Sequence, residues 1–248
     1  MRRPTSYAEF REVYDRVILG SDFLEDPDYY HQFRERYWKT LGYIESCVDS
    51  ERARLLDIGS GQFALLCHHL LGVPADVADI DSRHTEVLGR NGIGFLPIDL
   101  TRTGPPIADP YDVIVMAEVI EHVPRPPHLV FSDLKACLRP GGSLVVTTPN
   151  LYRFRNMARM IRGQVIFDHF RYPEKDRPLG HFLEYSREQL EWHLREAGLE
   201  IRLSSLVQLD HGGASPQARL ARRLLRPALR LRPLWRDSLV FLARRPRG

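Results

Sequence analysis

Long apolar runs, cysteine and lysine are what this 248-residue chain has least of. No apolar stretch reaches the roughly 18 residues that a membrane-spanning helix needs, so an integral membrane protein built on helices is not expected. Cysteine occurs three times, at Cys47, Cys67 and Cys137. So odd and sparse a set makes neither a disulfide framework nor a Cys-x-x-Cys metal knuckle. The start, Met1 to Tyr7, leads into charged residues, so no secretory signal is read there and a cytoplasmic location is expected. There is no internal repeat and no low-complexity linker. Lysine appears only at positions 39, 135 and 175, against 32 arginines. That bias reflects codon composition and carries no functional reading. What is present is 43% hydrophobic and 27% charged residues, enough for one sizeable core.

Charge is unevenly placed. The segment from Ser215 to Gly248 holds ten arginines and one acid, Asp237, a balance of +9 in a chain whose total is +3. Residues 1–214 therefore carry −6. An acidic body with a basic end suggests an anionic partner for that end; a solvated arginine face is the plainer alternative.

Residues 1–50 read as a helical cap. Phe10, Val13, Tyr14 and Val17 fall at helical spacing, as do Phe33, Tyr37, Leu41 and Ile44, and Asp26-Pro27-Asp28 separates the two runs. Beyond residue 51 short apolar runs alternate with helix-length segments. The runs are Arg54–Ile58, Asp76–Ile80, Gly94–Ile98, Asp112–Met116, Ser143–Thr147, Ile201–Leu206 and Ser238–Leu242. Buried parallel strands read this way, and alternation with helices implies βαβ units. Asp133–Leu138 reads as a helix ending at a sharp Arg139-Pro140-Gly141-Gly142 turn. Ser186 is an expected N-cap, with Gln189 three residues on and Gly198 closing the helix.

Leu55 to Ala64 reads as a strand, a glycine turn and a helix start. Gly59 and Gly61 let the backbone approach a ligand closely. Gly59-x-Gly61-x-x-Ala64 also fits a dinucleotide fingerprint, which leaves an NAD oxidoreductase open. Asp57, two residues ahead of the first glycine, would repel a pyrophosphate and attract a cation. S-adenosylmethionine, with its ammonium and sulfonium, is such a ligand. Asp81 is read as closing the second strand, where an acid grips ribose hydroxyls; Asp79, one alternation away, is the less favoured choice. Asp99 ends the third strand, where it could accept from an adenine amino group. Each of these acids could instead be a plain helix N-cap.

These segments together resemble the class I S-adenosylmethionine-dependent methyltransferases over nearly all of Arg54–Arg245. The resemblance rests on Leu55–Phe63, Asp81, Asp99, Tyr111–Met116, Leu138–Gly142, Thr148-Pro149-Asn150 and Gly180–Ser186. Phe63 departs from the pattern, since the family often has a third glycine there. The resemblance implies an α/β, Rossmann-like fold: a seven-stranded, mostly parallel sheet with helices on both faces and an antiparallel last strand. It implies one cofactor-binding domain over residues 51–248, with insertions at about 151–185, an acceptor lid, and 210–237, a basic amphipathic segment. Asp57, Gly59, Ser60, Gly61, Asp81, Asp99, Leu100 and Ala117 are the cofactor-binding residues it implies.

After the fourth strand comes Glu118-Val119-Ile120-Glu121-His122. On a helix starting here, Glu118, Glu121 and His122 would share one face. His122 suits a general base near neutrality. The group is similar to the metal-binding motif of small-RNA 3′-terminal 2′-O-methyltransferases and to a string in ubiquinone-type O-methyltransferases. The first likeness implies Glu118, Glu121, His122 and His181 around Mg²⁺ or Mn²⁺; an ordinary packing role for the histidines stands beside it. Glu121, His122 and His181 are the expected catalytic residues. The expected reaction is O-methylation of a small-molecule or glycan-like acceptor. A prenylated phenol and an RNA 3′-terminal ribose are runners-up, and a non-catalytic membrane-associated module with the same fold is an alternative of another class. Nucleic acid is disfavoured by the acidic body. Within 216–236, leucines interleave with arginines, as in a segment that lies peripherally on an anionic membrane, clasps a lipid-linked acceptor, or packs on its own core. His169, in the long insertion, and the N-terminal Tyr29-Tyr30 and Tyr37-Trp38 pairs are further candidates for covering the site.

Overall fold

A computed structural model describes residues 3–20, 27–102, 110–166, 181–209 and 227–247. The segment with His169 and most of the basic stretch up to Arg226 lie outside the described residues.

All seven apolar runs form strands of one sheet. In chain order these are β1 (Leu55–Ile58), β2 (Ala75–Asp79), β3 (Gly94–Pro97), β4 (Tyr111–Ala117), β5 (Leu138–Pro149), β6 (Glu200–Val207) and β7 (Ser238–Arg244). The order across the sheet is β3-β2-β1-β4-β5-β7-β6, with β7 antiparallel to both neighbours and the other pairings parallel. The strand order reverses at β1, which places a crevice outside the carboxyl ends of β1 and β4.

Helices cover both faces. On one lie α1 (Tyr7–Tyr14), α2 (Pro27–Glu45) and α3 (Gln62–Leu71); Phe10, Tyr14, Leu41, Leu65 and Val115 share one buried cluster there. On the other, α5 (Pro127–Ala136) and α7 (Arg187–Glu196) pack on Ile114, Val146 and Phe241. Between them in the chain come α4 (Thr85–Arg90) and α6 (Phe154–Ile161). The N-terminal helices therefore belong to the same core as the sheet. Pro27 opens α2, where its missing N–H costs nothing. Ser186 and Gln189 form the expected capping box on α7, and Gly198 follows its end at φ 72°.

Three local expectations are corrected. The fifth strand begins at Leu138, which pairs with Tyr111, and the Gly141 turn is an irregularity inside the strand. Gly141 adopts φ 82°, so the extra residues are absorbed without ending the pairing. The second strand stops at Asp79; Ile80 is exposed. After β4 there is a single 3₁₀ turn, Ile120–His122, in place of a longer helix.

Candidate active site

The glycine turn is locked from below. Gly59 N–H donates to Ala78 O at 3.0 Å, tying the turn to β2. Gly61 has φ 96°, and a Cβ there would sit 2.8 Å from Val77 Cγ2. Only glycine serves both demands. Asp57 is buried, and its Oδ2 accepts from Ala64 N–H at 3.0 Å in the first turn of α3. Burial pushes its carboxyl up to about 7, against the pull of the Ala64 and Phe63 amides. Ser60 donates to Gln62 Oε1 (2.9 Å), and Gln62 Nε2 donates to the Tyr30 hydroxyl (2.9 Å), which fastens α2 to the turn. Phe63, the departure from the usual third glycine, packs its ring 5.2 Å from that of Tyr37.

Of the two candidate acids at β2, Asp79 is the one that ends the strand. It is partly buried, desolvation raises its pKa, and its Oδ1 accepts from Asp81 N–H (3.0 Å). Asp81 stands two residues outside in the turn and pairs with Arg83. Asp99 lies two residues past β3 and accepts from Thr101 N–H and Oγ1, the hydroxyl contact being the main cause of its lowered pKa. Leu100 packs against the α5–α7 side core, and Ala117 ends β4.

At the head of β4 the chain turns sharply. Glu118 is the single non-glycine residue with positive φ, 57°, among the described residues. That conformation swings its side chain toward α2. Its Oε1 accepts from Thr147 Oγ1 (2.9 Å) and its Oε2 lies 3.4 Å from Arg36 Nη1. Arg36 is buried, sits over the rings of Tyr29, Phe33 and Tyr37, and donates to the Tyr29 hydroxyl.

Glu121 goes the other way. It is 1% exposed; Oε2 accepts from Thr148 Oγ1 (2.9 Å), while Oε1 is buried with no hydrogen-bond partner. Desolvation, reinforced by the charge of Glu118, raises its pKa well above the usual range. His122 Nε2 lies 4.0 Å from that unsatisfied oxygen, and the His122 and His181 rings meet edge to face at 4.9 Å. His181 reaches the site because Phe182 and Leu183 N–H groups both donate to Glu121 O (2.7 and 3.1 Å). Behind it, His181 Nδ1 donates to Glu184 Oε1 at 3.0 Å, and Glu184 also takes Arg153 and Asn156. Burial opposes the ionisation of Glu184, but these donors outweigh it and hold its pKa below the ordinary value. An ionised carboxylate only accepts, so His181 Nδ1 is the donor of this bond, which fixes the orientation of the ring.

One ligand atom from each of Glu121, His122 and His181 can be chosen so that all lie within 4.8 Å of one another. The structure thus gathers three of the four expected metal ligands, with Glu118 engaged by Arg36 and Thr147. Sequence reasoning missed Arg36 and Thr147, and it gave no role to Thr148 and Glu184, although both lie in motifs it singled out. Only the fold brings the four to the Glu-x-x-Glu-His turn.

A switch-point crevice with a glycine turn, strand-end acids and a carboxylate–imidazole cluster defines an α/β enzyme for a nucleoside cofactor. The family model "Methyltransferase domain" matches residues 29–204, and the chain belongs to that family of S-adenosylmethionine-dependent methyltransferases. It is 28% identical over 176 residues to a ubiquinone biosynthesis O-methyltransferase of Marinobacter nauticus, covering 65% of this chain and 70% of that one. With the protein of the same name from Burkholderia ambifaria it is 34% identical over 119 residues, 44% of this chain and 50% of the relative. Among solved structures it is similar to N-methyltransferase NodS from Bradyrhizobium japonicum in complex with S-adenosyl-l-homocysteine (TM-score 0.53, 19% identity, 96% and 98% covered). It is also similar to the [4+2]-cyclase SpnF (TM-score 0.60, 20% identity, 86% and 81% covered). Structural neighbours named for different reactions show that the fold alone does not choose the chemistry.

Proposed function

We propose that the chain methylates a hydroxyl oxygen of a small-molecule or glycan-like acceptor. The observation that carries this reading is the Glu121–His122–His181 cluster, built on the turn after β4 whose Val119 lies against Gly59. Methyl transfer is an in-line displacement on a carbon already activated by sulfonium, so the protein's first task is alignment. An oxygen nucleophile must also lose a proton. His122, only part-exposed and next to buried Glu121, is the group to take it. Asp57, Gly59, Ser60, Gly61 and Ala117 would hold the donor, with Asp79 or Asp81 on the ribose and Asp99 and Leu100 near the base. The names of the sequence relatives favour a phenol with a prenyl chain among possible acceptors. The part of 216–236 that is described ends in exposed Leu231 and Leu234. This is compatible with a lipid-linked acceptor or an anionic membrane surface. No helix of the described residues is long and apolar enough to cross a membrane.

A divalent ion fits the same cluster. The unsatisfied Glu121 oxygen is a donor type that Mg²⁺ or Mn²⁺ accepts, and the Glu184-backed imidazole of His181 is a nitrogen donor that suits Mn²⁺ better than Mg²⁺. When bound, such an ion would lower the pKa of the acceptor hydroxyl. The test uses radiolabelled donor with catechol and amine panels. Transfer to catechols is expected, falling about 10²–10⁴-fold in His122→Ala with S-adenosylhomocysteine binding unchanged. Transfer to amines alone would defeat the oxygen assignment. Loss of transfer in EDTA with recovery in Mg²⁺ or Mn²⁺ is expected on the metal reading, and indifference to EDTA would remove it.

A further inference from the structure

Away from the reacting centre, a cleft of about 860 Å³ opens between α2, the β6–β7 edge of the sheet and the described residues 227–236. That is the size range of small-molecule sites. Its floor is apolar: Leu203 on β6 stands opposite Leu242 on β7, and both line it. Among the described residues its charged lining is Lys39, Arg230 and Arg236, with no acid. Lys39 Nζ donates to Gln208 O (3.1 Å) and Arg236 to Leu206 O (2.9 Å), so these two are fixed in place. Arg230 is exposed. The lining also includes Gln208, whose Oε1 is buried and without a hydrogen-bond partner.

Gly42 is the second observation. It sits inside α2, where glycine costs roughly 1 kcal/mol relative to alanine. It has no positive φ, and a Cβ built on it meets no described atom within 4 Å. Among the described residues neither backbone conformation nor close packing calls for glycine here. Its visible effect is to leave the cleft wall without a side chain.

We propose that this cleft binds one molecule of a long-chain anion, its apolar chain on the Leu203–Leu242 floor beside Gly42 and its carboxylate or phosphate at Arg230. Lys39 lies one helical turn beyond Arg36, which contacts Glu118, so α2 links the cleft to the turn after β4. The site concerns a second ligand and stands whether or not the acceptor atom is oxygen.

The test titrates full-length protein with 11-(dansylamino)undecanoic acid, whose emission rises in apolar surroundings, and with its methyl ester. Saturable binding of one acid per chain is expected, with the ester weaker. Gly42→Leu fills the wall and favours the helix, so it should weaken the acid about tenfold. Arg230→Glu, a surface change, should weaken the acid about threefold or more and leave the ester unchanged. Calorimetry with S-adenosylhomocysteine should be the same for all three proteins, which separates loss of the cleft from loss of the fold. Should wild type fail to bind S-adenosylhomocysteine, the methyltransferase reading suffers while the cleft result stands. Non-saturable binding by wild type overturns the proposal. So does equal binding by Gly42→Leu, or an ester as tight as the acid. If the acid binds only in the presence of phosphatidylglycerol vesicles, with Gly42→Leu indifferent, the surface recognises a bilayer and the cleft assignment is overturned.

Discussion

With Asp57 in its proposed place at the donor site, donor binding is tied to pH. Its carboxyl is buried and pushed up to about 7, so the folded protein holds a proton there that the unfolded chain gives up near the ordinary aspartate value. A raised carboxyl pKa means that the native state binds more protons than the unfolded one between about pH 4 and about 7. Stability from this group is thus greatest at the acid end and declines as pH rises through that window, by roughly 4 kcal/mol at most. Ligand binding runs the opposite way. A cationic donor favours the ionised carboxylate, so donor affinity should rise with pH up to about 7 and then level off. Asp57→Asn should bind donor more weakly and flatten the rise, and should be less penalised in stability above pH 7 than wild type. Calorimetric titration between pH 5.5 and 8.5 reads the first effect. A variant with an unchanged affinity profile would show that Asp57 serves only to hold the Ala64 amide.

At the scale of elements, the His181 block depends on the helix that follows it. Ser186 caps α7 through the Gln189 amide, and Gln189 Oε1 accepts from Ser186 N–H at 2.8 Å. Ser186→Ala should cost about 1 kcal/mol, lowering the melting temperature by about 2–4 °C. Because Tyr185 pairs with Asn150 and the block hangs on Glu121 O, transfer rate should fall more than donor affinity. A melting temperature within 1 °C of wild type would argue that the cap carries no load. This cap was legible from residue types at fixed spacing, and so were the strands, because two-sided burial leaves a continuous apolar run. The extent of β5 was not: a Gly-Gly pair looks like a stop, and only its pairing partner Tyr111 shows that the strand runs through it. At the site, Glu121, His122 and His181 could be read as a motif. The departure of Glu118 could not, because its positive φ and its Arg36 partner are properties of the turn after β4 and of a helix 82 residues away.

Across the whole molecule that same pair joins the N-terminal helices to the reacting centre. Arg36 and Glu118 have side chains 10% and 15% exposed, so each is largely out of water and each depends on the other for compensation. Burial works against the Arg36 charge, and Glu118 together with the Tyr29 and Tyr37 hydroxyls outweighs it. Removing one partner from such a pair costs about 3–5 kcal/mol, whereas replacing both by neutral groups is often near neutral. Arg36→Met should therefore lose about 3 kcal/mol in urea unfolding, and Glu118→Gln a comparable amount. The double variant should recover much of the loss, giving a coupling energy on the order of 1–3 kcal/mol. The single variants should also weaken S-adenosylhomocysteine, because Tyr30 on the same helix holds Gln62 at the glycine turn, and a loosened α2 releases that contact. If the two losses simply add, the N-terminal helices and the catalytic turn are separate in energy. In that case the helices contribute to this enzyme through the shared apolar core of Phe10, Tyr14 and Leu41 and through the Tyr30–Gln62 contact.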